Sequence, residues 1–161
     1  MLQSPAQVRR YAATLVIVTL LGFALRIHLI DQFPLRADEA IYSFWALHFW
    51  RADPFFLTVW PDKPPLFIWL LSVGLHWFGD SQAAARWLNI ALSTLTIPVV
   101  AVIAHRWWGR WTAVLAALIF SLNPFAISFA PTVYTDPLLV LAGTFALYLA
   151  LQGRCFWAGF W

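Results

Sequence analysis

Long runs of apolar residues constrain this chain more than any other feature of its sequence. The first run covers residues 11–30, and an α-helix of roughly twenty residues is about 30 Å long, which matches the hydrocarbon core of a bilayer. Three further runs cover residues 87–104, 111–129 and 137–151. The sequence therefore predicts an all-α, polytopic membrane protein with about four transmembrane helices.

Composition excludes the common classes of soluble protein. Hydrophobic residues make up 62% of the chain, aromatic residues 18% and charged residues 11%, whereas an ordinary soluble domain is roughly 25% charged. The ten cationic residues are scattered along the chain, so we expect no nucleic-acid partner. A single cysteine, Cys155, excludes an internal disulfide. Arg9 and Arg10 precede the first apolar run, which indicates an uncleaved signal anchor with a cytoplasmic N-terminus.

Residues 31–86 separate the first run from the second, and we expect them to form a large loop on the outer side of the membrane. Six of the seven acids lie between Asp31 and Asp80. Apolar residues recur at helical spacing over residues 37–51, which predicts an amphipathic helix parallel to the membrane surface. Residues 64–78 are apolar on all sides but number only about 15, so the sequence leaves open whether they cross the membrane.

Charge favours the interpretation in which residues 64–78 do not cross. All seven acids then lie outside and two cationic loops lie in the cytoplasm, in keeping with the positive-inside rule. These loops contain Arg106, Arg110 and Arg154. In the other arrangement Asp38 and Asp136 lie on opposite sides. Arg26 lies near the end of the first run, and we expect its side chain to extend to the nearer headgroup region.

Acidic residues stand at the boundaries of the predicted helices, and each has a structural alternative. Asp38 and Asp136 could cap the helices that follow them. Lys63 could simply anchor the chain at the headgroups. A proline pair follows Asp62 and Lys63 and fixes the backbone there, so this turn can hold a carboxylate and an ammonium in defined positions. Such a pair could bind a phosphate directly and through a divalent cation.

The polar motifs resemble, in kind and in order, those of a known family. They are Arg26; Asp38-Glu39 with Tyr42 and Ala46; Asp62-Lys63-Pro64-Pro65-Leu66; Gly79 with Ser81, Ala84, Ala85 and Arg86; and Tyr134-x-Asp136. In these motifs the chain is similar to the polytopic glycosyltransferases of the GT-C fold. The nearest branch is the one containing the bacterial aminoarabinose transferases and the protein O-mannosyltransferases, which use dolichyl- or polyprenyl-phosphate sugars. The resemblance extends over about 110 residues.

The resemblance implies catalytic roles for acids and cations of the outer loop. Asp38 would be the general base for the acceptor, with Glu39 and Asp136 as further active-site acids. Lys63 would contact the donor phosphate, with Arg86 as a second cation. Asp38, Lys63 and Asp136 would then lie at one pocket on the outer side of the membrane.

The resemblance also implies a cofactor and an architecture. Asp62 would take part in binding a divalent metal cation, as in the metal-binding members of the family, and no other cofactor is implied. The first-loop helices of the family are parallel to the membrane, which agrees with a segment 64–78 that does not cross. Residues 1–161 would be the N-terminal part of a transmembrane catalytic domain whose C-terminal remainder is missing.

The resulting functional hypothesis is a glycosyltransferase of the bacterial inner membrane with an active site facing the periplasm. It would move a sugar from a polyprenyl-phosphate donor to a hydroxyl or phosphate of lipopolysaccharide, another glycan or a protein, with membrane lipids as its surroundings. One alternative is a transporter in which the acids and Arg26 line a path, although the acids lie at the outer boundary and not near the centres of the runs. Another is a non-catalytic membrane protein in which every acid is a cap.

Overall fold

The computed structural model describes residues 4–160 and contains, in that part of the chain, eight α-helices and no β-strand. The helices are α1 (Pro5–Ile27), α2 (Ala37–Arg51), α3 (Pro65–Phe78), α4 (Gln82–Trp108), α5 (Arg110–Leu122), α6 (Pro124–Phe129), α7 (Asp136–Leu151) and α8 (Cys155–Phe160). The predicted all-α class is confirmed. By length and composition α1 and α4 can cross a membrane, whereas α3, α5 and α7 are shorter apolar helices.

The first helix begins earlier than the hydropathy predicts. A capping box starts α1, because Ser4 Oγ accepts a hydrogen bond from Gln7 N and Gln7 Oε1 accepts one from Ser4 N, both at 3.4 Å. Pro5 occupies the first helical position, where its missing N–H costs nothing. The helix therefore extends through the cationic segment that precedes the apolar run.

Residues 111–129, which the sequence predicts as one apolar helix, form two helices in the structure, α5 and α6. The break lies at Asn123, whose side-chain oxygen accepts a hydrogen bond from Ala126 N at 3.1 Å and so caps α6. Pro124 has no N–H to donate to Phe120 O, which is the bond that a continuous helix would make there. The last carbonyl groups of α5 are therefore open to other donors.

Arg26 uses these carbonyl groups, and the prediction that it extends to the headgroups is wrong. Its side chain is 0% exposed. Its guanidinium donates to Phe120 O and Ser121 O, each at 3.3 Å, and to Ser93 Oγ at 2.9 Å. A cation is stabilised at a helix C-terminus by the helix dipole, so the break in the chain at residues 123–124 explains why Arg26 is buried.

Side-chain contacts give the directions of α1, α4, α5 and α7, which form the bundle. The rings of Tyr11 and His105 stack at 5.2 Å, so the start of α1 lies beside the end of α4. Gln82 Nε2 donates to Phe33 O at 2.9 Å, which places the start of α4 beside the loop after α1. Arg26 joins the ends of α1 and α5. We call the end of the bundle formed by residues 28–36, the start of α4 and residues 130–135 the loop end, and the other the opposite end.

The contacts of the residues before α7 complete this arrangement. Asn89 Nδ2 donates to Thr132 O at 2.5 Å and to Tyr134 O at 2.7 Å, so α7 starts at the loop end. Thus α1 and α5 run toward the loop end, and α4 and α7 run away from it. A helix of 27 residues, the length of α4, separates the two ends by about 40 Å.

Helices α2 and α3 form a separate layer at the loop end. They run in the same direction, because Tyr42 meets Phe67 near their starts and Trp50 stacks on His76 near their ends, with ring centroids 6.4 Å and 4.1 Å apart. Residues 52–64 return the chain between them. The start of α3 lies near Tyr42, and its end at Phe78 directly precedes the start of α4, so both ends of α3 lie at the loop end of the bundle.

The predicted helix over residues 37–51 is confirmed, and its packing adds a finding. The buried face of α2 is formed by Glu39, Tyr42 and Ala46. Two of the apolar residues at helical spacing, Ile41 and Phe44, are instead 45% and 56% exposed. An apolar face that the protein leaves open suits contact with lipid.

Candidate functional site

A buried ion pair joins α2 to α4 at the loop end. Arg86 Nη2 donates to Glu39 Oε2 at 3.1 Å and Arg86 Nε donates to Glu39 Oε1 at 3.2 Å. Both side chains are 1% exposed. The carboxylate also accepts hydrogen bonds from Arg36 N at 2.9 Å and Val133 N at 3.0 Å. The pair therefore holds the start of α2 against the loop that precedes α7.

All five N–H groups of Arg86 have acceptors within the protein. Besides Glu39, they donate to Ile30 O, Phe33 O and Pro34 O at 2.7, 2.9 and 3.3 Å. A guanidinium has five donors and no more, so none is left in this structure for a donor phosphate. The sequence predicts direct contact of Glu39 and Arg86 with the reactants; in the structure both side chains are buried and hydrogen-bonded within the protein. Sequence patterns indicated these residues but not their burial.

Tyr42 lies where three parts of the site meet. Tyr42 is 7% exposed, and its ring lies 6.3 Å from the ring of Tyr134, two residues before Asp136. Lys63 Nζ lies 5.7 Å from the centroid of the same ring, a distance typical of a cation–π contact. The start of α2, the proline turn and the start of α7 are therefore neighbours around one aromatic side chain.

Lys63 is held at this place as a charged and accessible group. Its Nζ donates to Asp62 Oδ2 at 3.2 Å, and its side chain is 32% exposed. The hydrogen bond to Asp62 and, next, the neighbouring Tyr42 hydroxyl raise the pKa of Lys63 above its ordinary value. The ammonium is therefore fully charged at neutral pH, and part of it faces solvent.

Asp38 is the free carboxylate of this region. It lies in the first turn of α2 and is exposed, one helical turn before Tyr42 and therefore about 6 Å from it along the helix axis. The capping alternative does not describe it, because it is Glu39 that accepts the hydrogen bond from Arg36 N at the start of this helix. Asp38 thus has its oxygens available to a ligand.

Asp136 borders an apolar cavity of about 150 Å³ that also reaches Thr96 and Phe129. It lies in the first turn of α7, where Thr135 occupies the capping position and no side chain caps the helix. Asp38 and Lys63 do not line this cavity. The structure therefore brings the segments of Asp38, Lys63 and Asp136 together around Tyr42 and Tyr134, without giving the three side chains one shared cavity.

Two residues that the sequence did not single out also shape the site. Asp53 closes the loop after α2, because its carboxylate accepts hydrogen bonds from Leu57 N, Thr58 N and Val59 N at 2.7, 2.6 and 3.2 Å. Burial alone would raise the pKa of Asp53, but these bonds and that from Thr58 Oγ1 outweigh it and hold the pKa well below its usual range. Asn89 holds residues 132–134. In the sequence, Asp53 and Asn89 can be recognised only as polar residues within apolar surroundings.

Asp62 by itself does not form a divalent-cation site. One of its oxygens accepts a hydrogen bond from Lys63, whose positive charge opposes a second cation. Within residues 4–160 there is no group of three or more His, Cys, Asp or Glu side chains that could hold a metal ion, whereas Mg²⁺ and Ca²⁺ take several oxygen ligands. The described residues therefore do not fit the metal that the resemblance implies.

Comparison with known proteins identifies the family. The sequence model of the family described as dolichyl-phosphate-mannose-protein mannosyltransferase matches residues 62–154, which is more than half of the chain. The match begins at Asp62 of the proline turn and includes Arg86 and Asp136. Neither the curated proteins nor the solved structures give a significant match. The chain belongs to the dolichyl-phosphate-mannose-protein mannosyltransferase family, and it is on this basis a glycosyltransferase of the GT-C type.

Proposed function

We propose that this protein transfers a sugar from a polyprenyl-phosphate donor to an acceptor hydroxyl or phosphate at the outer face of the bacterial inner membrane. The observation that carries the proposal is the position of Lys63, a charged ammonium at the meeting point of α2, the proline turn and the start of α7. Family membership supports a lipid-linked donor in general. Lipopolysaccharide, other glycans and proteins are the candidate acceptors.

The chemical role of Lys63 follows from the leaving group. When the bond between the anomeric carbon and the phosphate oxygen breaks, its electron pair goes to that oxygen, and a phosphodiester with one negative charge becomes a monoester with two. A fixed cation next to this oxygen stabilises the transition state more than the ground state. Asp62 and Tyr42 hold the ammonium in place before the reaction begins.

The role of Asp38 follows from the acceptor. An acceptor hydroxyl attacks the anomeric carbon from the side opposite the phosphate and loses its proton. Asp38, an exposed carboxylate one helical turn before Tyr42, can take this proton. A carboxylate with a pKa near 4 is a weak base for an alcohol. Proton transfer is therefore late, and departure of the phosphate leads the reaction. This single displacement inverts the configuration at the anomeric carbon.

Glu39, Arg86 and Asp136 support these two groups. The buried pair fixes the start of α2, and so the position of Asp38, against the loop before α7. Asp136 lines an apolar cavity between α4, α6 and α7, whose apolar wall suits an isoprene unit of the donor. No step of this mechanism uses a metal ion.

A transporter is less well supported. In that alternative Arg26 lines a path through the membrane, but its donors are bonded to Ser93 Oγ and to two carbonyl groups at the end of α5. It thus has the surroundings of a structural residue.

Transfer of radiolabel from a panel of polyprenyl-phosphate sugars, measured in membranes that contain the complete gene product, tests the proposal. We expect Lys63→Gln to lower the rate of transfer by about 100- to 1,000-fold, as the loss of one group that stabilises a developing oxyanion does. We expect Asp38→Asn to lower it by about 100- to 10,000-fold. Membrane insertion of both variants should be unchanged, because neither side chain is buried.

Asp31→Asn is the matched control, because Asp31 is an exposed acid of the same loop to which the mechanism gives no role. It should retain full activity. If Lys63→Gln also retains full activity, the phosphate role of Lys63 is wrong. If the wild-type protein moves no label from any donor of the panel, the proposed reaction itself is wrong.

A further inference from the structure

A second cavity, lined in part by cationic side chains, lies at the opposite end of the bundle, about one helix length from the candidate site. Its volume is about 260 Å³, and it lies between the first turns of α1 and the start of α5. Arg10 and Tyr11 line it from α1, and Arg110 and Trp111 line it from α5. The cavity is therefore formed by two elements that are a hundred residues apart in the chain, and only the packing of α1 on α5 creates it.

The lining of this cavity offers hydrogen-bond donors. The guanidinium groups of Arg10 and Arg110, the hydroxyl of Tyr11 and the indole N–H of Trp111 can all donate. Gln7 contributes its amide nitrogen, because its carbonyl oxygen already accepts a hydrogen bond from Ser4 N. No acid lines the cavity, and within the described residues neither arginine forms an ion pair. These donors and charges fit an anion.

The surroundings of the cavity indicate which kind of anion. Trp111 is 77% exposed, and Trp107 and Trp108 just before it are 56% and 64% exposed. Exposed tryptophans flanking long apolar helices are typical of the headgroup region of a membrane. The guanidinium of Arg110 lies 5.9 Å from the ring centroid of Trp111, so the cation and the aromatic wall face the same place. An anion bound here lies beside an apolar surface. This arrangement suits a lipid, because its phosphate is attached to an apolar part.

Charge distribution over the whole molecule agrees with this assignment. Five arginines belong to the opposite end, whereas all seven acids lie between residues 31 and 136, in segments of the loop end. They are Arg9, Arg10, Arg106, Arg110 and Arg154. Basic pockets between transmembrane helices are a known way of binding anionic lipid headgroups. A cavity slightly smaller than those for drug-sized ligands can hold one headgroup while the acyl chains stay in the bilayer.

We infer that Arg10 and Arg110 form a binding site for the phosphate of an anionic phospholipid headgroup, at the end of the molecule away from the sugar-transfer site. The site joins the N-terminal turns of α1 to α5, so a bound lipid also ties these two helices together. This inference does not depend on the proposed function, because none of its residues belongs to the candidate catalytic region.

Binding of phosphatidylglycerol and of phosphatidylcholine to the detergent-purified protein, measured by native mass spectrometry, tests the inference. The variant Arg10→Gln/Arg110→Gln should bind phosphatidylglycerol about 30-fold more weakly, and each single variant about 5-fold more weakly. Binding of phosphatidylcholine, which has no net charge, should change by less than about 2-fold. Circular dichroism of the variants checks that they remain helical.

The control variant is Arg9→Gln/Arg106→Gln, which makes the same change in net charge at the same end but outside the cavity. It should bind phosphatidylglycerol about as well as the wild type. Equal weakening by the two double variants would show a general effect of charge and overturn the site. Displacement of the lipid by inorganic phosphate at a few millimolar would overturn the assignment to a lipid, since the apolar wall would then contribute nothing.

Discussion

Removing the charge of Glu39 should destabilise the protein more than any other conservative change of an acid. Glu39→Gln keeps the size of the side chain but places an amide nitrogen against the donors of Arg86, Arg36 or Val133, all of which now donate to carboxylate oxygens. Both partners of the pair are 1% exposed. Removing one partner of a buried ion pair costs about 3–5 kcal/mol, because the other charge stays buried without compensation.

A second ion pair of the same chain supplies the comparison. Arg51 and Asp80 also form an ion pair, but their side chains are 63% and 44% exposed. Such a pair contributes about 0–1 kcal/mol, so Asp80→Asn should have little effect. The two variants make the same chemical change and differ only in burial.

Unfolding of the purified protein in detergent micelles by urea, followed by circular dichroism, measures both variants. The free energy of unfolding should fall by about 3–5 kcal/mol for Glu39→Gln and by less than about 1 kcal/mol for Asp80→Asn. In a double-mutant cycle with Arg86→Met, the loss for the double variant should be smaller than the sum of the two single losses. A loss below about 1 kcal/mol for Glu39→Gln would refute the conclusion that this ion pair holds α2 against α4.

Three further predictions concern other parts of the chain. Arg26→Leu should shift the thermal unfolding of the purified protein to lower temperature, since the carbonyl groups at the end of α5 lose their donor; an unchanged transition would contradict the role of Arg26. Because the pKa of Asp53 is lowered in the folded state, its stabilisation is present above pH ~4 and lost as the pH falls through the folded value. The difference in melting temperature between wild type and Asp53→Asn should accordingly vanish on acidification, and a difference independent of pH would exclude this linkage. With Cys155→Ser as background, cysteines introduced at Asp38 and Asp136 should both react with an impermeant reagent from outside, and labelling from opposite sides would separate the two halves of the candidate site.

Local patterns in the sequence were enough to predict most of the helices. Apolar runs and helical spacing predicted α1, α4 and α7, and the bounds of α2 at residues 37–51 agree with the structure. The break between α5 and α6 was also present in the sequence, as Asn123 followed by Pro124, a recognised start signal for a helix. Average hydropathy over residues 111–129 does not show this break, because the residues on both sides of it are apolar.

The roles of neighbouring polar residues could not be predicted in the same way. Asp38 and Glu39 are adjacent and chemically alike, yet one is exposed and the other is 0% exposed. Successive residues of a helix point about 100° apart, so the face that α2 turns toward α4 decides which carboxylate is buried. That choice depends on Arg86 and on the loop at residue 133, which are 47 and 94 residues away.

Apolar runs and local spacing were enough to predict that the chain is helical and suited to a membrane, and they identified the acids and the lysine from which a sugar-transfer site can be built. Which of these groups are exposed and which are buried became evident from the packing of the helices. The physical reason is that the cost of burying a charge is met by partners distant in the chain, as the carbonyl groups of α5 show for Arg26 and Glu39 shows for Arg86.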